Sequence, residues 1–328
     1  MLNGKCSDWV RVKSGVPEGS ICGPILFVLF CNDAPLDISS GCLMYADDLK
    51  LYRRIRTASD SLALQADVDK LCLWSGTWKL ALNPSKCKSI TFTLRGKPLD
   101  TTYHIGGTAL ERVSQMRDLG VLLDSKLTFG PHIDELVRKV NRALGMYLRS
   151  LQSYRAPTGR RLPSGPIMTG FNAHIRAIME FGCVIWGGAA KTHIARLERI
   201  QHKFLMWLGR HSNSPCASLD YTDLLRHFGV LRIDQRLVLN DLNFVQNVFT
   251  GRIDSGDILA MFSLAVPSRT RSKPVLYVPA ARVDTIRNGL FCRLPRAVNS
   301  LCEKRPTADL FGSRAAFRSQ VKAFVSSL

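Results

Sequence analysis

Apolar residues alternate on both sides of two adjacent carboxylates: Leu43 and Tyr45 precede Asp47-Asp48, and Leu49 and Leu51 follow. A period of two is that of a strand with one covered face, and two such runs around a short polar stretch predict a β-hairpin turning at Ala46-Asp47-Asp48. Adjacent aspartates repel each other, which raises the cost of ionising both unless a cation lies between them. Hard carboxylate oxygens of this kind suit Mg²⁺. A plainly solvated Asp-Asp turn has the same sequence, so its meaning depends on the rest of the chain.

That rest is strongly basic. The 328 residues carry 45 Lys and Arg against 26 Asp and Glu, a net charge of +19. The excess is lopsided: residues 1–130 hold 16 basic and 13 acidic side chains, residues 131–328 hold 29 and 13. A C-terminal part at +16 points to a polyanionic partner, most often nucleic acid. The 10 cysteines include no Cys-x-x-Cys pair and no His at zinc-finger spacing, which argues against a zinc knuckle. Most lie in apolar runs, as small core residues in a reducing compartment do. The longest apolar run, Ile21 to Cys31, is too short to cross a bilayer, and the first residues lack the apolar core of a signal peptide. The expectation is an intracellular chain with no membrane partner.

In chain order, Trp9 to Lys13 alternates like an edge strand and leads into the punctuated loop Ser14 to Ser20. Gly23-Pro24 then opens a buried helix over Ile25 to Phe30. Leu64, Val68, Leu71, Trp74 and Trp78 form one stripe of a helix over Thr57 to Leu80, which Asn83-Pro84 ends. Strands are expected at Ser89 to Leu94, Thr102 to Ile105 and Leu119 to Leu123, with a turn at Gly96-Lys97-Pro98. From Pro131 the period is helical, with Ile133, Leu136, Val140, Leu144 and Tyr147 inward and Arg138, Arg142 and Arg149 aligned on another face. Ala156 to Pro166 is the best linker candidate. Beyond it, Ile194, Leu197, Phe204 and Leu208 mark a helix whose opposite side carries Arg196, Arg199, Lys203 and Arg210. These seven basic residues are the candidate contacts to a nucleic-acid backbone. Arg269, Arg271 and Lys273 continue the charge toward the C-terminus. The fold class is α+β.

Several blocks arrive in a fixed order: Gly15-Val16-Pro17-Glu18-Gly19-Ser20 through Phe27, Asn32-Asp33, Tyr45-Ala46-Asp47-Asp48, and Trp78 through Leu82-Asn83-Pro84-Ser85-Lys86-Cys87. Together they resemble the reverse transcriptase of non-LTR, LINE-like, jockey-type retrotransposons. Asp118 to Asp124, Pro131-His132-Ile133, Glu180 to Trp186 and Leu197 to Phe204 resemble that family's region after the palm.

The resemblance implies a partial polymerase palm, an antiparallel sheet with packed helices, over 1–128. A helical thumb-like region over 129–210 and a basic C-terminal helical region over 211–328 would follow. It implies Asp47 and Asp48 as Mg²⁺ ligands and catalytic residues, and Lys86 as a third catalytic residue near the active site that would assist protonation of the leaving group. Pro17, Glu18, Gly19, Ser20, Tyr45 and Ala46 would lie against nucleotide and template. The implied partners are an RNA template, a DNA primer and deoxynucleoside triphosphates. Two departures stand out. The family's first metal-binding aspartate precedes the Pro-x-Gly-Ser loop, and only Asp8 lies there, so fingers, half the palm and the endonuclease are expected to be absent. Glu18 also stands where the family usually has Gln, putting a carboxylate where an amide donor serves. The expected activity is RNA-directed DNA synthesis, lost in this chain alone; the alternative is a non-catalytic nucleic-acid-binding remnant.

Overall fold

The computed structural model describes residues 11, 15–16, 19–94, 99–155, 163–213, 216, 218–266 and 274–328, without the side chains of 154–155. The chain divides into two compact units, Met1–Ser114 and Gln115–Leu328.

In the first unit, α1 (Cys22–Cys31) carries Pro24 in its first turn, where the missing N–H costs nothing. It was expected to be buried, but among its residues only Gly23 and Cys31 are, while Val28 and Leu29 are 60% and 69% exposed. A ten-residue helix that is apolar all round is buried only if other elements surround it, and the described part of the unit covers one side. There Phe30 meets Trp78 and Trp74 edge-on at 5.3 and 6.4 Å, and Trp74 Nε1 donates to Asp33 at 3.0 Å.

The hairpin forms as β1 (Gly41–Tyr45) and β2 (Asp48–Tyr52), antiparallel with Tyr45 opposite Asp48. The turn is therefore the two residues Ala46-Asp47, and Asp48 already belongs to a strand. Gly41 faces Tyr52, whose ring fills the space of the missing side chain: a Cβ there would sit 2.2 Å from the ring. Helix α2 (Ala58–Trp78) starts at a capping box in which Asp60 accepts the Thr57 N–H at 2.8 Å, and it ends at Lys79 with a left-handed φ of 55°.

The expected strands are shorter than their patterns. β3 (Lys88–Ile90) replaces Ser89 to Leu94 and pairs in parallel with β6 (Glu111–Val113). β4 (His104–Ile105) pairs with β5 (Thr108–Ala109), and Gln65 of α2 brackets His104, accepting its N–H at 2.8 Å and donating to its carbonyl at 2.9 Å. A helix side chain thus takes the place of a neighbouring strand. The described residues hold four two-stranded sheets rather than one antiparallel sheet, so the α+β class stands in its coarse form of helices with small sheets. The strand at Trp9 to Lys13, apart from Arg11, and the turn at 96–98 lie outside the described residues.

In the second unit, β7 (Gln115–Asp118) and β8 (Val121–Asp124) turn through Leu119 and Gly120, both with positive φ; the expected strand at Leu119 thus begins two residues later. Helix α3 (Gly130–Arg155) follows. Next come α4 (Ser164–Phe171), a π-helical turn at Asn172–Arg176, α5 (Ala177–Glu180), α6 (Cys183–Trp186) and α7 (Lys191–His211). Residues 156–162 of the expected linker are outside the described set. The helical stripes read from sequence are the buried ones: Ile133, Val140 and Leu144 from α3, and Leu197, Phe204 and Leu208 from α7, close around Trp186. Phe171 and Phe204 stack at 3.8 Å.

A second core gathers α9 (Ile233–Phe249), α12 (Leu290–Lys304) and α13 (Arg314–Val325) around Leu242, Leu294, Val298, Phe317 and Phe324. α8 (Tyr221–Phe228) leads into α9, and the short helices α10 (Gly256–Ala260) and α11 (Asp284–Arg287) lie between α9 and α12. Among the described residues no helix is long and apolar enough to cross a membrane.

Candidate catalytic hairpin and nucleic-acid interface

Asp67 of α2, 1% exposed, holds the base of the hairpin. It accepts the N–H groups of Ser39 and Ser40 at 3.1 and 2.7 Å and the Ser39 hydroxyl at 2.8 Å. Arg53, just past β2, donates to Ser39 Oγ and Ser40 Oγ at 3.0 and 3.2 Å, and Lys70 Nζ lies 3.3 Å from Asp67. Burial opposes the Asp67 charge, but the bonds from Ser40 and Ser39 outweigh it and hold its pKa well below the carboxylate range. Both ends of the hairpin are thereby tied to one helix, and the tip is left free.

At that tip Ala46 has φ 51°, a conformation that a two-residue hairpin turn normally gives to Gly or Asn. Tyr45, Ala46, Asp47 and Asp48 are all exposed. Asp47 lies in the turn and Asp48 opens β2. The oxygens are of the hard kind that Mg²⁺ takes, but their number falls short: no group of three His, Cys, Asp or Glu suited to a metal occurs among the described residues. Asp47 and Asp48 would thus supply two ligands of a cation whose remaining partners are water or come from elsewhere.

Pro17 and Glu18 lie outside the described residues. Gly19 has φ 77°, and Ser20 Oγ accepts the Gly23 N–H at 3.1 Å, tying the loop to the first turn of α1. Lys86 is exposed on a turn ordered by Asn83, whose Oδ1 accepts from the Ser85 N–H and hydroxyl at 3.1 and 2.6 Å. Among the described residues no hydrogen bond or ion pair links Lys86 to Asp47 or Asp48.

The basic stripes are assembled further than the sequence indicated. Arg138, Arg142 and Arg149 are exposed on α3; Arg199, Lys203 and Arg210 are exposed on α7. Arg196 is half-buried and ion-paired with Asp134. Asp134 lies on the same helical line as Arg138, Arg142 and Arg149, and Arg196 on that of Arg199, Lys203 and Arg210. The pair therefore joins one stripe to the other where the two helices begin, at Gly130 and His193, and the stripes share one side of the α3–α7 packing. Arg269, Arg271 and Lys273 lie outside the described residues.

Residues 1–123 match the model of the family described as reverse transcriptase (RNA-dependent DNA polymerase). The similarity to curated proteins extends past that stretch. The chain is 29% identical over 199 residues to the probable RNA-directed DNA polymerase from transposon X-element of Drosophila melanogaster, covering 59% of this chain and 21% of that one. It is 30% identical over 203 residues to the corresponding protein from transposon BS, covering 58% and 22%. It is 28% identical over 214 residues to the RNA-directed DNA polymerase from mobile element jockey of Drosophila funebris, covering 61% and 22%. The chain thus spans about a fifth of the length of the curated relatives it matches. No solved structure matches it.

Two features of the site were hidden from sequence reasoning. Asp67 reads there as one more polar residue on a helix, and only its burial beneath two serines 27 and 28 residues away shows what it holds. The Asp134–Arg196 pair spans 62 residues and has no local signature.

Proposed function

We propose that the chain is part of an RNA-directed DNA polymerase of a non-LTR, jockey-type element. Residues 1–128 would serve as palm, 129–210 as a thumb-like region and 211–328 as a basic C-terminal region. The observation that supports it best is the exposed Asp47-Asp48 tip, tied at its base through Asp67, inside the segment that matches the reverse transcriptase family. Bound there, Mg²⁺ would supply charge for nucleotidyl transfer. Asp47 and Asp48 would hold it, the Gly19-Ser20 loop together with Tyr45 and Ala46 would lie against template and incoming deoxynucleoside triphosphate, and Lys86 would offer a proton near the leaving group. The α3 and α7 stripes track the backbone of the RNA template and DNA primer.

Two carboxylates are one short of the set that a two-ion site shares, so primer extension by this chain alone should be undetectable. Joining an upstream segment that bears the family's first aspartate should restore extension on an RNA template, and Asp47→Asn should abolish it. Extension insensitive to Asp47→Asn would refute the role of the hairpin. The second reading, a nucleic-acid-binding remnant without catalysis, rests on the stripes. Salt-dependent RNA binding with no extension in the joined chain would favour it.

A further inference from the structure

The block Glu180 to Trp186 is only partly accounted for by packing. Trp186 is buried and donates through Nε1 to the Phe181 carbonyl at 2.8 Å, and Glu180 is ion-paired with Arg236 and accepts from Asn240 at 3.2 Å. Phe181, however, is 57% exposed although its ring rests on Gly120. It lines an open cavity of about 400 Å³ between α5, α6 and one face of α9. Asn240, Asn243, Phe244 and Asn247 line the opposite wall, one helical face at spacings of three and four.

The chemistry of this slot is unusual for so basic a molecule, since no charge is free in it. Glu180 is taken up by arginine and asparagine, and burial pushes the Cys183 thiol up to about 11, keeping it neutral. What remains is two aromatic rings and three amides. Asn240 already donates to Glu180 and to Cys183 Sγ, but Asn243 Oδ1 has no donor among the described residues, and because the residue itself is only half-buried, a turn of its amide presents that oxygen to a ligand N–H in the slot. Aromatic faces with amide edges suit a planar, neutral heterocycle that carries an exocyclic amine. The cavity is of a size for one such group, and the surrounding sequence from residue 131 onward carries +16.

We propose that this slot receives one unstacked base of a single-stranded nucleic acid, one that carries an exocyclic amine (adenine, cytosine or guanine), stacked on Phe181 and hydrogen-bonded to Asn243. The site is separate from the hairpin and from the α3–α7 stripes, though its ligand rests on the nucleic-acid reading above. The test uses the full chain and single-stranded RNA of about 12 nucleotides, within the length one binding fold covers. Oligo(A) and oligo(C) should bind more tightly than oligo(U). Phe181→Ala and Asn243→Leu should each weaken oligo(A) about tenfold, with the melting temperature and the salt slope of binding unchanged. Oligo(A) bearing 8-azidoadenine should photolabel the segment around Phe181 or that around Phe244. Equal binding by both variants, or labelling confined to other segments, overturns the slot. Replacing Arg199 and Lys203 by Ala flattens the salt slope whether or not the slot exists, so the two readings fail separately.

Discussion

Replacing Arg293 by Met removes the cation from a carboxylate that cannot reach water. Asp241 of α9 is 2% exposed, and Arg293 of α12 meets it with both arms of a fork, Nε to Oδ2 at 2.7 Å and Nη2 to Oδ1 at 3.1 Å. The same guanidinium donates to the Val184 carbonyl at 2.5 Å and to the Asn288 carbonyl at 3.1 Å, so one side chain fastens α6 and the start of α12 to α9. Methionine keeps the stem and its packing but leaves Asp241 buried without a partner. Breaking such a pair costs about 3–5 kcal/mol, a large part of the roughly 5–15 kcal/mol that holds a domain together.

For a unit of this size each kcal/mol moves the midpoint by about 2–4 °C, so Arg293→Met should melt about 6–20 °C below the parent. Burial already raises the Asp241 pKa against the pull of Arg293, and without the arginine it rises further. A carboxyl with a raised folded pKa stabilises the fold when protonated and loses that contribution as pH rises through the folded value. The deficit of Arg293→Met should therefore be smaller at pH 5 than at pH 8. Calorimetry at the two pH values reads both effects, and Asp241→Leu in the same background should recover much of the loss. A melting point within about 2 °C of the parent at pH 8 would refute the reasoning, because an uncompensated buried carboxylate cannot cost so little.

Asp67→Asn should loosen the hairpin base by about 2–3 kcal/mol, seen as faster amide exchange at Leu43 and Leu49. With its folded pKa held down, Asp67 stabilises the fold above the unfolded value of about 3.8, and that contribution is lost as pH falls below it. His132 accepts the Leu122 N–H through Nδ1 at 3.2 Å, and burial lowers its pKa. The unfolded chain therefore gains a proton first, so thermal stability should hold above about pH 6.5 and fall as pH drops through the lower folded value; His132→Asn should flatten that slope. Removing Arg199 and Lys203 together should make the salt dependence of RNA binding shallower by about 1.5 in log–log slope and leave melting unchanged, since both side chains are exposed.

The long helices were the legible part of the sequence. α2, α3 and α7 each repeat an apolar stripe over about four turns, so one atypical residue does not hide the period. The hairpin was legible because β1 and β2 alternate around a turn with no apolar residue larger than Ala46. Strands of two to four residues such as β4, β6 and β7 offer one or two alternations, too few to set against chance, and the parallel pairing of β3 with β6 depends on what lies between them. α1 misled because apolar composition reports what a helix would bury, not whether anything covers it. The Asp47-Asp48 pair was conspicuous as chemistry, whereas the Asn240, Asn243 and Asn247 face looked like ordinary helix surface until its opposite wall was in view.

Helix α9 belongs to both cores of the larger unit: Ile233 and Leu237 pack into the first, Leu242 and Val245 into the second. It works as a common axle, and the order in which its two halves are covered follows from the order of synthesis. The first core has all its parts once Leu237 has emerged, but the second waits for Phe317 to Val325. At about 5–20 residues per second, the apolar second half of α9 stays uncovered for roughly 4–16 s after it leaves the ribosome. For that interval the growing chain is half folded and presents an adhesive helix face, and the last turns of α13 remove it.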